Sequence, residues 1–153
     1  MATAAAFFDL DRTLMAGASA YYVGKACYRA GLYPLRRLVR DATSSMVFKL
    51  FGASEEKSEA LRDRVLMMVA GREADTLRRL APAVVEELLA RIRPEAQALL
   101  DMHEAAGRDV YIISASPVEI VGELAHALDV AGGLGTQSEI VDGVYTGRLA
   151  ESA

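Results

Sequence analysis

Ala4-Ala5-Ala6-Phe7-Phe8-Asp9-Leu10-Asp11-Arg12-Thr13-Leu14 is the stretch whose reading decides the fold. A short apolar run closed by a polar cluster is the pattern of a strand buried on both faces of a parallel sheet. In open parallel sheets, ligands bind outside the carboxyl ends of the strands. Asp9 and Asp11 fall at that end, so they are the first candidates for chemistry. Asp9 and Asp11, one residue apart in a turn, can put a carboxylate and a main-chain carbonyl on the same hard cation, and oxygen ligands with several retained waters suit Mg²⁺. The plain alternative is a surface loop with two solvated acids.

Downstream, the pattern is helical from about Ser19 to Ala106, broken at Gly31 and Pro34, at Gly52 and Ser54, at Gly71, and at Pro94 and Gly107. Four or five helices are expected there. One starts at Ser54, with Glu55 and Glu56 in its first turn and Leu61, Val65, Met68 and Val69 as its apolar stripe, and ends at Gly71. Met67-Met68 is read as core. Arg29, Arg36, Arg37, Arg40 and Lys49 are read as a solvated helix face. Val110-Tyr111-Ile112-Ile113 is a second strand that stops at Ser114-Ala115-Ser116-Pro117. Ser116 as N-cap, Pro117 as first helical residue and Glu119 two residues on predict a capped helix from Pro117 to about Leu128. Gly132-Gly133-Leu134-Gly135, Thr136 and Gln137 are read as loop. Asp142-Gly143, between Ser138–Val141 and Val144–Thr146, is a two-residue hairpin signal.

Composition limits the function classes. The chain has 153 residues, 52% hydrophobic and 25% charged, which fits one globular domain with a core of its own and excludes fibrous or disordered classes. Lys+Arg 17 against Asp+Glu 21 gives net charge −4, so no nucleic-acid partner is expected. The single cysteine, Cys27, cannot form an internal bridge and is read as a packing residue. His103 and His126 fall on different predicted helices, without metal-ligand spacing. Met1 to Leu10 lacks the basic start and apolar run of a signal peptide, and no apolar stretch approaches the about 20 residues of a membrane span. The expectation is a cytoplasmic protein with no membrane span.

Phe7-Phe8-Asp9-Leu10-Asp11-Arg12-Thr13-Leu14 resembles the first motif of the haloacid dehalogenase superfamily, and Val110-Tyr111-Ile112-Ile113-Ser114-Ala115-Ser116 resembles its second. The helices between them are similar to the cap of the phosphoserine-phosphatase-like branch, and Asp142–Leu149 is similar to the segment after the second motif. The resemblance implies an α/β fold: a Rossmann-like parallel sheet core, incomplete here, with an inserted α-helical cap. Residues 1–18 and 93–153 would form the core and 19–92 the cap. It implies a Mg²⁺-dependent phosphatase acting on a small phosphorylated substrate. Asp9 would be the nucleophile and Asp11 the proton donor and acceptor, both contacting the metal. Thr13 would support the loop, while Ser114 and the amide of Ala115 would hold the phosphoryl group. Arg or Tyr residues between Tyr21 and Arg79 would contact the substrate from the cap.

The chain departs from the family pattern after the second motif. The family's lysine has no counterpart, because Lys25, Lys49 and Lys57 all precede Ser114 and Arg148 is the one cation after it. Glu119, Glu123, Asp129, Glu139, Asp142 and Glu151 do not form the family's acidic run. These departures suggest the N-terminal part of such an enzyme, weakly active or inactive by itself. With the family's remaining strands missing, Ala4–Phe8 would lie at a sheet edge and pair with a second copy, giving a homo-oligomer, or with a supplied C-terminal piece. The alternative is a degenerate relative that binds without turnover. A third reading is a helical regulatory domain in which Arg36, Arg37 and Arg40 meet an acidic partner.

Overall fold

The computed structural model describes residues 4–32, 59, 62–63 and 66–151. The helix start expected at Ser54, with Leu61 and Val65 of its stripe, lies outside them, as do Arg36, Arg37, Arg40, Lys49 and Lys57. The described chain is α/β. Strands β1 (Ala5–Asp9), β2 (Asp109–Pro117) and β3 (Gly132–Thr136) form a parallel sheet in the order β1-β2-β3. Its helices are α1 (Ser19–Arg29), α2 (Thr76–Leu89), α3 (Pro94–Ala105) and α4 (Val118–Ala127). A separate antiparallel pair, β4 (Ser138–Val141) and β5 (Val144–Leu149), follows.

Parallel strands need a crossover, and α3 and α4 supply covering surface on one side of the sheet. Ile112, Leu100, Ile120, Val121 and Leu124 are fully buried in that core, joined by Val84 and Leu88 of α2 and Val23 of α1. Among the described residues no element covers the opposite side of the sheet. Phe7, Ile113 and Leu134 are 59%, 43% and 51% exposed, and the Phe7 and Tyr111 rings stack at 5.4 Å. β1 is therefore not the doubly buried strand its composition suggests. It lies at the edge with one face in solvent, because no described element covers the Phe7 side.

The remaining differences from the sequence reading have local causes. β2 continues through Ser114–Pro117, with a register irregularity after Ile113, instead of stopping at Ser114. Helix α4 starts at Val118: Pro117, at ψ 138°, is its N-cap, and no side chain caps it. The expected Ser116–Glu119 box therefore does not form. The Gly132–Thr136 segment is a strand instead of a loop. A Cβ on Gly133 would lie 2.4 Å from the Val121 carbonyl oxygen, and one on Gly135 2.7 Å from that of Ser116. Glycine is there to let β3 lie against the backbone of α4 and of the β2 end. Met67 is 73% exposed, and only Met68 of that pair meets the core.

The Asp142-Gly143 hairpin forms as expected, both residues having positive φ (51° and 76°), as a two-residue primed turn requires. It is tied down by the backbone of residues 71–74. Gly71 N–H donates to Tyr145 O at 2.8 Å, and Tyr145 N–H donates to Arg72 O at 2.9 Å. The buried Tyr145 hydroxyl lies 2.6 Å from Ala74 O and 2.9 Å from Glu119 Oε1. Burial and the Glu119 carboxylate push the Tyr145 phenol above the ordinary tyrosine range. Glu119, expected to cap α4, instead joins that helix to the hairpin.

Replacing Gly133 by Ala forces overpacking against Val121, with an expected loss of about 1–3 kcal/mol in thermal or urea unfolding followed by circular dichroism. Gly122→Ala, inside α4 with open space at its Cβ, is the contrast: an expected gain of roughly 0.5–1 kcal/mol from helix propensity.

Candidate active site

Pairing of β1 with β2 runs in register from Ala5↔Asp109 to Asp9↔Ile113, and Leu10 N–H donates to Ile113 O at 3.2 Å, one residue past the strand. The chain then folds back on itself. Leu14 N–H donates to Asp9 O and Met15 N–H to Leu10 O, while Arg12, at φ 62°, makes the turn and its N–H reaches Gly17 O at 3.0 Å. Leu10, Leu14 and Met15 are buried and anchor this loop. Asp9 and Thr13 stay exposed and Asp11 half-buried. Apolar anchors thus alternate with the polar side chains that the edge presents.

Each polar group has a definite partner. Thr13 Oγ1 donates to Asp9 Oδ2 at 2.7 Å, which holds one carboxylate oxygen and leaves Oδ1 without a bond to it. Asp11 Oδ1 accepts the N–H of Ser19 at 2.5 Å. That N–H is the first of α1, whose N-cap residue Ala18 has no side-chain acceptor, so Asp11 takes the capping role from eight positions upstream. Ser114 Oγ donates to Asp11 Oδ2 at 3.4 Å and accepts the Ser116 N–H at 3.1 Å. Ser116 Oγ lies 2.6 Å from Ser19 Oγ, both side chains being buried. Thr136 Oγ1 donates to Ala115 O at 2.7 Å and joins the end of β3 to the end of β2.

All five residues singled out from sequence, Asp9, Asp11, Thr13, Ser114 and Ala115, therefore lie along one edge, the carboxyl ends of β1 and β2. Among the described residues no group of three or more His, Cys, Asp or Glu side chains is placed to hold a metal ion. The oxygen donors there are the Asp9 carboxylate and the carboxylate and main-chain carbonyl of Asp11. A magnesium ion that keeps several waters is bound through only one or two protein carboxylates, so this set fits it. Among the described cations between residues 19 and 92, Lys25 and Arg29 are paired with Glu87 at 2.7 and 3.2 Å, and Arg79 with Asp75 at 2.9 Å. The Lys25 hydrogen bond holds the Glu87 carboxyl below the usual glutamate range.

Sequence reading missed two residues of this edge. Ser116 carried a cap signal that its geometry does not use, and Ser19 carried none beyond opening a helix. The one available clue was an acid upstream of a helix whose N-cap position is an alanine.

The sheet and its acid-and-hydroxyl edge define an α/β protein with a ligand-type edge at its strand ends. The chain belongs to the haloacid dehalogenase-like hydrolase family, whose profile matches residues 6–153. It is 35% identical over 149 residues to the phosphoserine phosphatase SerB1 of Mycobacterium tuberculosis, covering 96% of this chain and 48% of that protein. The chain spans about half the length of the curated relatives it matches. A protein of unknown function from Bordetella pertussis Tohama I superposes with TM-score 0.76 at 23% identity, over 98% of this chain and 67% of that one. A phosphoserine phosphatase solved as a phospho-aspartyl intermediate analogue superposes at TM-score 0.56 and 16% identity, over 94% of this chain and 60% of that one. The last two likenesses carry the fold. No described helix is long and apolar enough to cross a membrane.

Cys27 is 2% exposed in α1, and burial pushes its thiol up to about 11 against the weaker opposing pull of Arg72. So little thiolate is present near neutral pH that a packing role is left. Native protein is expected to react with an aromatic disulfide reagent at least roughly a hundredfold more slowly than guanidinium-unfolded protein. Equal rates would remove that assignment.

Proposed function

We propose that this chain carries the phosphoryl-transfer edge of a phosphomonoester hydrolase, with residues 1–18 and 93–153 as core and 19–92 as the cap over it. The observation that carries this reading is the meeting of Asp11 Oδ2 with Ser114 Oγ at 3.4 Å, across two strand ends, beside the exposed Asp9. The family match over residues 6–153 supports it.

Asp9 attacks the phosphorus of a small phosphate ester. An Asp9 oxygen–phosphorus bond forms, and the bond from phosphorus to the leaving oxygen breaks. Asp11 Oδ2 delivers a proton to that leaving oxygen. In the second half Asp11 takes a proton from water, whose oxygen attacks phosphorus and releases inorganic phosphate and free Asp9. The Thr13 hydroxyl fixes the face of Asp9 that reacts. The Ser114 hydroxyl and the Ala115 amide hold phosphoryl oxygens, Ser114 turning its proton from Asp11 to the incoming anion. Mg²⁺ held by the Asp9 carboxylate and by Asp11 would supply the positive charge that offsets repulsion between two anions. Phosphoserine, the compound in the name of the relative SerB1, is one candidate substrate.

Loss of a single preorganised charge-stabilising group commonly lowers the rate 10²–10³-fold. With no lysine after Ser114, slow turnover is expected from these residues alone. The test is hydrolysis of an aryl phosphate by the 153-residue chain. The expected result is weak Mg²⁺-dependent release of product, abolished by Asp9→Asn and by EDTA. Turnover that survives Asp9→Asn removes the nucleophile assignment, and a wild-type chain without turnover favours the alternative of a binding module that keeps the edge but not the reaction.

The unpaired edge of β1 is the second element of this proposal. A two-fold axis normal to the sheet at this edge would pair β1 antiparallel with β1 of another copy and put the exposed Phe7 rings on the same face. Light scattering after size exclusion at tens of micromolar is expected to give a dimer mass, and Phe7→Lys to give a monomer. A monomeric wild-type chain overturns the pairing.

A further inference from the structure

The hydroxyls of Ser19 and Ser116 lie 2.6 Å apart and are both buried, at 0% and 3% exposure. A hydroxyl pair withdrawn from water is retained where its hydrogen bond fixes something, since burying unpaired hydroxyls is costly. Here the pair joins the first turn of α1 to the end of β2 across 97 positions of sequence. Asp11 sits between the two joined elements. Its Oδ1 accepts the Ser19 N–H, and its Oδ2 faces Ser114 Oγ, which in turn accepts the Ser116 N–H. The result is a closed ring: Asp11, Ser19 backbone, Ser19 hydroxyl, Ser116 hydroxyl, Ser116 backbone, Ser114 hydroxyl and back to Asp11.

We propose that Ser19 and Ser116 are positioning residues that decide which oxygen of Asp11 moves the proton. With Oδ1 held by the α1 N–H, Oδ2 is the oxygen left for the leaving group, on the side where Ser114 would hold the phosphoryl group. The inference rests on the phosphoryl-transfer reading of Asp11 given above. The clamp also ties that proton-carrying group to the helix that opens the proposed cap, so a displacement of α1 is transmitted to Asp11 through one N–H and one hydroxyl pair.

The experiment is a mutant cycle in the whole chain, read by amide hydrogen exchange and by kinetics. If Ser116 acts through the clamp, Ser116→Ala speeds exchange of the Ser19 amide roughly tenfold, while amides of the β4–β5 hairpin stay unchanged. In an Asp11→Ala background, which already frees that amide, the same change adds nothing. Ser116→Gly, which removes the hydroxyl without adding volume, repeats the effect if the alanine variant fails to fold. In turnover, Ser116→Ala lowers kcat roughly tenfold for an alkyl phosphate, whose poor leaving oxygen needs the proton. It lowers kcat less than about twofold for an aryl phosphate, with KM unchanged for both. An unmoved Ser19 amide, additive effects in the cycle, or equal losses for both esters overturns the proposal. A wild-type chain with no turnover counts against the phosphatase reading alone, because the exchange cycle still decides the clamp.

Discussion

The pairing of β1 with β2 is the constraint on which the rest of the site depends. Because the ladder runs from Ala5↔Asp109 to Asp9↔Ile113 and is extended by the Leu10–Ile113 hydrogen bond, β1 leaves the sheet beside Ile113, the residue before Ser114. Asp9, Asp11 and Ser114 are then neighbours although more than a hundred positions of sequence separate the first from the last. A slip of one residue would turn Asp9 toward the buried face and Phe8 toward the exposed one, since side chains alternate along a strand. That register is held on the covered face, where Val110 and Ile112 are buried against α3 and α4.

Packing on one side of the sheet accounts for several features at once. Buried side chains of α2, α3 and α4, among them Val84, Leu88, Leu100, Ile120 and Leu124, share one core, while Phe7, Ile113 and Leu134 are exposed on the other side of the sheet. Parallel sheets are ordinarily covered on both faces. The covered side is correspondingly tight: α4 approaches β3 so closely that Gly133 and Gly135 have no room for a methyl group. Strand β3 holds its place by giving up side chains, while Thr136 at its end reaches the Ala115 carbonyl and keeps the edge in line.

What could be read from the sequence was what local chemistry decides. The acid pair after an apolar run, the Asp142-Gly143 turn and the helices Ser19–Arg29, Thr76–Leu89 and Pro94–Ala105 each follow from residues within a few positions of one another. What could not be read depended on distant partners. The glycines of β3 look like loop until the backbone of α4 is beside them. Ser116 looks like a helix cap until Ser19 is found 2.6 Å away, and Glu119 looks like its companion until Tyr145 takes it. Met67 and Met68 are adjacent in sequence, but a helix turns about 100° per residue, so only one of them meets the core.

Asp11 illustrates how one carboxylate can serve fold and site together. As the acceptor for the first N–H of α1 it replaces the side-chain cap that Ala18 cannot supply, and a carboxylate at a helix N-terminus is favoured by the helix dipole. That bond occupies one oxygen and fixes the plane of the group. The second oxygen is left facing a serine hydroxyl at a distance of 3.4 Å, which is long for an O–H to carboxylate bond. A weak bond of that kind is easily exchanged for one to an incoming anion, whereas the short bond to α1 is not. In the proposed phosphoryl-transfer role, that asymmetry would let Asp11 stay anchored through Oδ1 while Oδ2 exchanged its weak bond for a proton.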